Sequence, residues 1–249
     1  MPERTAVIIG ARGGIGAALA DALDAGDQYD RVIRLHRTSA PAIDILDEAS
    51  IAAAARDLAG TAPQLVIVAT GLLHTANKGP EKSLRELDPE WMMENYRINA
   101  VGPALVAKHF LPIMAKQGPI CFAALSARVG SISDNRLGGW HSYRASKSAL
   151  NMFIRNIAIE WQRKNAQSVV VALHPGTVET QLSAPFKGNP AHERFVPARA
   201  ATDMLGVLAG LKPEQTQLPQ NQPQSLAPCP KTLAKSGSQA QFQKSLPKT

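Results

Sequence analysis

The chain reads as an α/β protein built on a doubly wound parallel sheet. Two observations predict this: short apolar runs alternate with stretches of helical periodicity along most of the sequence, and the first run passes directly into a glycine-rich turn that opens a helix. With 249 residues the chain is long enough to bury one sizeable core, and no internal repeat is visible.

The first strand is placed at residues 5–10, from the apolar run Thr5-Ala-Val-Ile-Ile9. Behind it Ile15, Leu19 and Leu23 recur every four residues, the pattern of a helix that lays one face on a sheet. Further strands are placed at residues 31–36, 64–69, 119–125 and 168–173. Between them Ile51, Ala55 and Leu58 mark one helix, and Trp91 to about Lys116 a long one. Leu150, Ile154, Ile157 and Trp161 mark the helix that continues from Tyr143. Right-handed crossovers place the strand C-termini on one edge, which is where a ligand belongs in such a sheet.

Gly10-Ala-Arg-Gly-Gly14-Ile-Gly16 fills the turn after the first strand. Glycines let the backbone turn tightly and approach a pyrophosphate without a Cβ collision, while the helix N-terminus offers free N–H groups and a favourable dipole. An ordinary glycine-rich turn is the competing reading; the strand before it and the helical period after it favour a dinucleotide.

Ser142-Tyr-Arg-Ala-Ser-Lys147 puts a phenol and an ammonium on one helix face. Free tyrosine titrates near ~10, so a general acid/base tyrosine needs a positive charge nearby, and Lys147 is spaced to lower the pKa of Tyr143. A surface helix carries such pairs by chance, so this one draws its weight from its company.

Composition removes several functions. The formal charge is +7, but basic residues do not cluster with aromatics, which total only 5%, so nucleic acid is not an expected partner. An anionic cofactor explains part of the charge better. The six histidines lack ligand spacing, and no metal site is expected. With no apolar run of about eighteen residues and no signal-peptide core after Met1, the expectation is a cytoplasmic protein with no membrane partner. Cys121, inside an apolar run, reads as a buried thiol rather than a disulfide or metal partner, and Cys229 is the second cysteine.

Gly-x-x-x-Gly-x-Gly near the N-terminus and Tyr-x-x-x-Lys near residue 145 resemble the short-chain dehydrogenase/reductase family. Further matches follow in the family's order: Asn99 in Arg97-Ile-Asn-Ala-Val-Gly-Pro103, Ser126 ending an apolar run, and Pro175-Gly-Thr-Val-Glu-Thr180 after a late strand. The resemblance covers residues 5 to about 211. Within it, Ala127 to Asn135 and Gly138 to Lys147 resemble the C-factor-like carbonyl-reductase subgroup.

The resemblance implies a Rossmann-like single domain, assembled as a homodimer or homotetramer, that moves hydride between NADP(H) and a small-molecule carbonyl or alcohol. It implies that Tyr143 exchanges a proton with the substrate oxygen, that Lys147 tunes Tyr143 and bonds the nicotinamide ribose, and that Asn99 holds a water linking Lys147 to solvent. Ser126 would polarise the carbonyl. Ser126 precedes Tyr143 by more than the common family spacing and is followed by Ala127, so Ser131 stands as the alternative. Gly10, Gly14, Ile15 and Gly16 would line the cofactor, as would Pro175, Gly176, Val178 and Thr180, with Thr177 beside them. Val68-Ala-Thr-Gly71 stands where many relatives have Asn-Asn-Ala-Gly: Gly71 keeps the close approach, but the asparagines are missing. Asp44 resembles an adenine-contacting aspartate, with a helix-capping loop residue as its other reading. A nucleotide-binding regulator that keeps the fold without useful turnover is the alternative function.

The cofactor choice is read from the end of the second strand, Leu35-His36-Arg37-Thr38. Arg37 can pair with a 2′-phosphate and no carboxylate opposes it, so NADP is favoured over NAD, with Arg12 as a second partner. A solvated loop charge is the other reading of Arg37. Residues 181–197 are polar and irregular, as a mobile substrate lid would be. After residue 212 the composition turns to Gln, Pro, Ser and Lys with Glu214 as the sole acid, which predicts a disordered tail over 213–249 beside a domain over 1–212. The final strand that relatives place near here is not visible; an altered reading frame and a natural extension are both open.

Overall fold

Five strands, β1 (Thr5–Ile9), β2 (Arg31–Leu35), β3 (Leu65–Val68), β4 (Ile120–Leu125) and β5 (Ser168–Leu173), pair in parallel in the order β2-β1-β3-β4-β5. The computed structural model describes residues 3–186 and 194–214. From β1 the chain adds β2 on one side, then returns past β1 to add β3, β4 and β5 on the other. That reversal opens a crevice beyond the C-terminal ends of β1 and β3, where an open α/β sheet takes its ligand. All five expected strands are present, with ends within about one residue of the sequence reading.

Side chains alternate between two cores, as a strand period of two requires. Val7, Ile9, Val66, Val68 and Phe122 face α2 (Glu48–Asp57), α4 (Gly102–Phe110) and α5 (His141–Gln162). Ala6, Ile8, Leu65, Ile67 and Val171 face α1 (Gly14–Asp24) and α6 (Pro197–Gly210). Strands buried on both faces have no polar side to show, which is why they read as unbroken apolar runs. Burial of a side chain such as Ile8 or Phe122, both fully enclosed, contributes roughly 1.5–3 kcal/mol.

The long helix expected from Trp91 to about Lys116 is divided. It begins as α3 (Pro89–Tyr96), whose cap Asp88 accepts from the Glu90 and Trp91 amides at 2.9 and 3.2 Å. It then widens into a π turn over Arg97–Val101 before continuing as α4. Pro103 has no N–H to give the carbonyl four residues back, at Asn99, and the wider turn accommodates that loss. Gly102 at the junction lets Ile45 pack against the backbone, since a Cβ there would lie 2.3 Å from Ile45 Cγ1. The sequence reading assigns no helix to residues 197–210, where α6 opens on Pro197 in its first turn.

Residues 187–193 of the expected lid and 215–249 of the expected tail lie outside the described residues. Among the described residues no strand pairs with the outer edge of β5, no helix is long and apolar enough to cross a membrane, and no cluster of His, Cys, Asp or Glu could hold a metal ion. Cys121, in β4, is a free thiol.

Candidate active site

The glycine turn is a backbone cradle. Gly10 sits at φ +85°, a left-handed conformation that favours glycine, and its amide continues the sheet by donating to the Leu35 carbonyl at 2.9 Å. A Cβ on Gly16 would lie 2.3 Å from the Gly10 carbonyl oxygen, so turn and helix meet only without one. Gly13 caps α1 with no side-chain acceptor, leaving first-turn amides for an anion. Ile15, partly buried, packs against the α1/α6 core.

The segment after β5 lies across this cradle. A Cβ on Gly14 would lie 2.9 Å from Thr180 Cγ2. Pro175-Gly176 turns the chain there with Gly176 at φ +77°, and Val178 is buried and bridged to Phe195. Arg12 donates to Thr38 Oγ1 at 3.2 Å, which brings its guanidinium to the loop that carries exposed Arg37. Two cations thus border the end of β2, with no acid in the loop from His36 to Pro41. Asp44 accepts from the Leu46 amide at 3.0 Å, the local turn-forming reading of that residue.

Tyr143, Lys147 and Asn99 converge beside the cradle. Tyr143 is 8% exposed and Lys147 2% exposed on the inner face of α5. The Lys147 ammonium donates to the Leu125 carbonyl at 2.8 Å and sits 5.7 Å from the centre of the Tyr143 ring. A Cβ on Gly71 would lie 3.8 Å from Lys147 Nζ and 3.6 Å from Asn99 Oδ1, so Gly71 faces both side chains. Asn99, fully buried in the π turn, accepts from the Leu72 amide at 2.8 Å and donates to the Leu72 carbonyl at 2.8 Å and to Ser146 Oγ at 3.1 Å. Ser146 Oγ in turn donates to the Tyr143 carbonyl at 2.8 Å. One network therefore joins β3's loop, the π turn and the helix carrying Tyr143.

The expected depression of the phenol is absent in the protein alone. Burial pushes Tyr143 up to about 12 and Lys147 down to about 7, because each charged form loses water and the ammonium is directed at Leu125. The sign for stability follows. An unfolded lysine holds its proton to ~10.4, so between about pH 7 and 10 the unfolded chain binds a proton that folded Lys147 has released, and stability rises with pH in that window. Tyr143 acts oppositely from about pH 10 to 12, where the unfolded phenol ionises first. Melting temperatures of Lys147→Met should lack the rise that the wild type shows between pH 7 and 10; parallel curves would overturn the burial assignment.

Ser126 is engaged by a residue further along α5. Its hydroxyl donates to Asn151 Oδ1 at 2.7 Å, and Asn151 lies about 12 Å beyond Tyr143 along the α5 axis. Ser131 Oγ accepts from the Asp134 amide at 3.3 Å. Neither serine hydroxyl bonds Tyr143.

Several residues here carry no signal in the sequence reading. Glu81, 2% exposed, accepts from the Ser142 amide at 3.2 Å and from the Ser142 hydroxyl, and its own carbonyl accepts from the Trp140 amide at 2.5 Å. A carboxylate from a distant loop thus caps α5, whose N-cap residue Trp140 supplies no acceptor. Trp140 is left-handed at φ 51°, a conformation costing a non-glycine residue roughly 1–2 kcal/mol. His174, just before Pro175, is kept neutral by burial with a pKa near 4, and its buried Nδ1 has no partner among the described residues.

Known proteins share this fold. Residues 9–209 match the family model described as Enoyl-(Acyl carrier protein) reductase. The chain is 34% identical over 134 residues to the C-signal protein of Myxococcus xanthus, covering 54% of this chain and 76% of that one. It is 30% identical over 231 residues to cis-4-hydroxycyclohexanecarboxylate dehydrogenase of Sinomonas cyclohexanicum, covering 86% of each. The NADPH-bound carbonyl reductase from chicken fatty liver superposes with a TM-score of 0.73 at 26% identity, covering 86% of this chain and 94% of that one. With the family model spanning most of its length, the chain belongs to the short-chain dehydrogenase/reductase family of hydride-transferring oxidoreductases.

Proposed function

We propose that the protein is an NADP(H)-dependent carbonyl reductase whose Tyr143 is the general acid, and the base in the oxidative direction. The observation that carries this reading is the convergence of Tyr143, Lys147 and Asn99 beside a cradle that tolerates no Cβ at Gly16. Gly10, Gly14 and Gly16 would hold the pyrophosphate against the α1 amides, Lys147 the ribose, and Gly176, Val178 and Thr180 the nicotinamide side. When bound, that cofactor supplies the hydride. Tyr143 gives its hydroxyl proton to the substrate oxygen. Lys147 stabilises the resulting phenolate better once a ribose hydroxyl competes with Leu125 for its ammonium, and the Asn99–Ser146 network holds the helix that carries both. Ser126 can reach a carbonyl only by releasing Asn151, so it is secondary in this scheme. Exposed Met92, Met93 and Tyr96 on α3 offer apolar surface for self-association as a homodimer or homotetramer.

Arg12 and Arg37 at the end of β2 support NADP over NAD, as does the NADPH held by the chicken enzyme. NADPH should bind at least roughly tenfold more tightly than NADH, the difference one arginine–phosphate pair makes at about 1.5–3 kcal/mol. Arg37→Asp should narrow or reverse that preference in fluorescence titrations. Equal affinities in the wild type would refute the NADP assignment. The reaction itself is tested by NADPH oxidation with a panel of aldehydes and ketones. Tight NADPH binding without turnover of any of them would instead favour a nucleotide-binding regulator.

A further inference from the structure

Aromatic rings that the proton transfer itself does not require are packed beside Tyr143. The Trp140 indole stands edge-on to the Tyr143 ring, with centroids 6.2 Å apart and planes at 72°. Phe186 leans on the same indole at 5.1 Å and 59°. His74 meets Phe186 edge-on at 5.6 Å, and its Nε2 lies 3.2 Å from the Gln181 carbonyl at the start of the segment that carries Phe186. Trp140, Phe186 and His74 are all partly exposed.

The indole is held there by a purpose-built turn. Gly138 and Gly139 precede Trp140, each at φ 63°, so three left-handed residues follow one another directly before the catalytic helix. A glycine would take the third position without strain, yet the largest side chain occupies it. What keeps it in place is buried Glu81, whose carbonyl accepts the Trp140 amide while its carboxylate accepts from Ser142. Gly139 also lies against this loop: a Cβ there would sit 3.5 Å from the Glu81 carbonyl oxygen. Exposed Leu137, in the same loop, adds apolar surface just before the turn.

We propose that Trp140 and Phe186 form an aromatic wall that selects substrates whose carbonyl is borne on or near a flat aromatic ring, and that Glu81 is the positioning residue that holds this wall beside Tyr143. Edge-to-face and tilted pairs are the arrangements aromatic rings prefer, so an aryl substrate can replace one ring contact with another when it enters, whereas an aliphatic chain cannot. The proposal rests on the carbonyl-reductase reading of the same site and deepens it.

The test compares two methyl ketones of equal carbon number, 4-phenyl-2-butanone and 2-decanone, with the full chain and NADPH. The wild type should favour the aryl ketone at least tenfold in kcat/KM. Trp140→Asn, which tolerates the left-handed backbone, should bring that ratio below about threefold, mainly through a higher KM for the aryl ketone, with NADPH affinity retained. Glu81→Ala should lower the ratio similarly, and Glu81→Gln should restore part of it, a rescue that a merely structural role in folding would not show as a change of selectivity. Binding is read independently by ligand-observed NMR in the presence of NADP+, where the ketones cannot be reduced. Aryl-selective binding that Trp140→Asn removes would uphold the wall even if neither ketone were turned over, and the failure would then belong to the reductase reading alone. A wild-type preference below about threefold in both turnover and binding, or one that survives Trp140→Asn, would overturn the proposal.

Discussion

Tyr143→Phe should remove turnover while leaving NADPH affinity within about twofold of the wild type. The substitution deletes one oxygen from a ring that is almost entirely buried and otherwise packed against Trp140, so the fold has little to lose. What is lost is the phenol proton on the helix face that also carries Lys147, since the other α5 hydroxyl here, Ser146 Oγ, is engaged with Asn99 and the Tyr143 carbonyl. A positioned general acid contributes on the order of 10²–10⁴ in rate, so kcat should fall by at least about a hundredfold, equivalent to about 2.7 kcal/mol of transition-state stabilisation. Lys147→Ala should differ in kind, lowering NADPH affinity as well, because it removes the ammonium that faces Gly71 and is proposed to hold the ribose. Steady-state kinetics with any turned-over carbonyl, beside a fluorescence titration of NADPH, separates the two. Retention of more than about a hundredth of wild-type kcat in Tyr143→Phe would give the proton to another group.

What was legible in the sequence is what local spacing determines. The five strands show as apolar runs because both sheet faces are covered, and the turn at Gly10 shows because its neighbours on both sides carry a period. Tyr143 and Lys147 are four residues apart on one helix, and one turn of helix carries the information. Asn99 was found by its place in a motif order, but the π turn that sets its direction depends on Pro103 and on Leu72, whose backbone it bonds across 27 positions. Long-range packing decided the rest. Ser126 donates to Asn151, 25 residues on, and Glu81 meets Ser142 across 61 residues from a stretch to which the sequence reading assigns no element. The direction of the Tyr143 shift was missed for a related reason: helical spacing reports the charge nearby, whereas the depth of burial that outweighs it belongs to the assembled fold.

Among the glycines of the cradle, Gly16→Ala should be the most damaging single change. The added Cβ would lie 2.3 Å from the Gly10 oxygen, 2.9 Å from the Gly10 carbonyl carbon and 3.2 Å from Ala11 Cα, all backbone atoms of the turn itself. None of them can rotate aside, so helix α1 and the turn must separate, and the separation moves the amides meant for the pyrophosphate. Overpacking of this kind costs about 3 kcal/mol at the upper end of its usual range, and for a domain of this size that lowers the melting temperature by roughly 6–12 °C. NADPH affinity should fall by at least about tenfold in the same protein. Gly14→Ala should be milder, since the added carbon would sit 2.9 Å from Thr180 Cγ2, which a side-chain rotation can relieve. Gly13→Ala should be nearly neutral, with the Gly10 oxygen at an ordinary 3.4 Å. Melting curves and NADPH titrations of the three variants give this order or they do not. A Gly16→Ala protein that binds NADPH like the wild type would mean that the turn is not the cofactor cradle, and the dinucleotide would have to be sought elsewhere along the sheet edge.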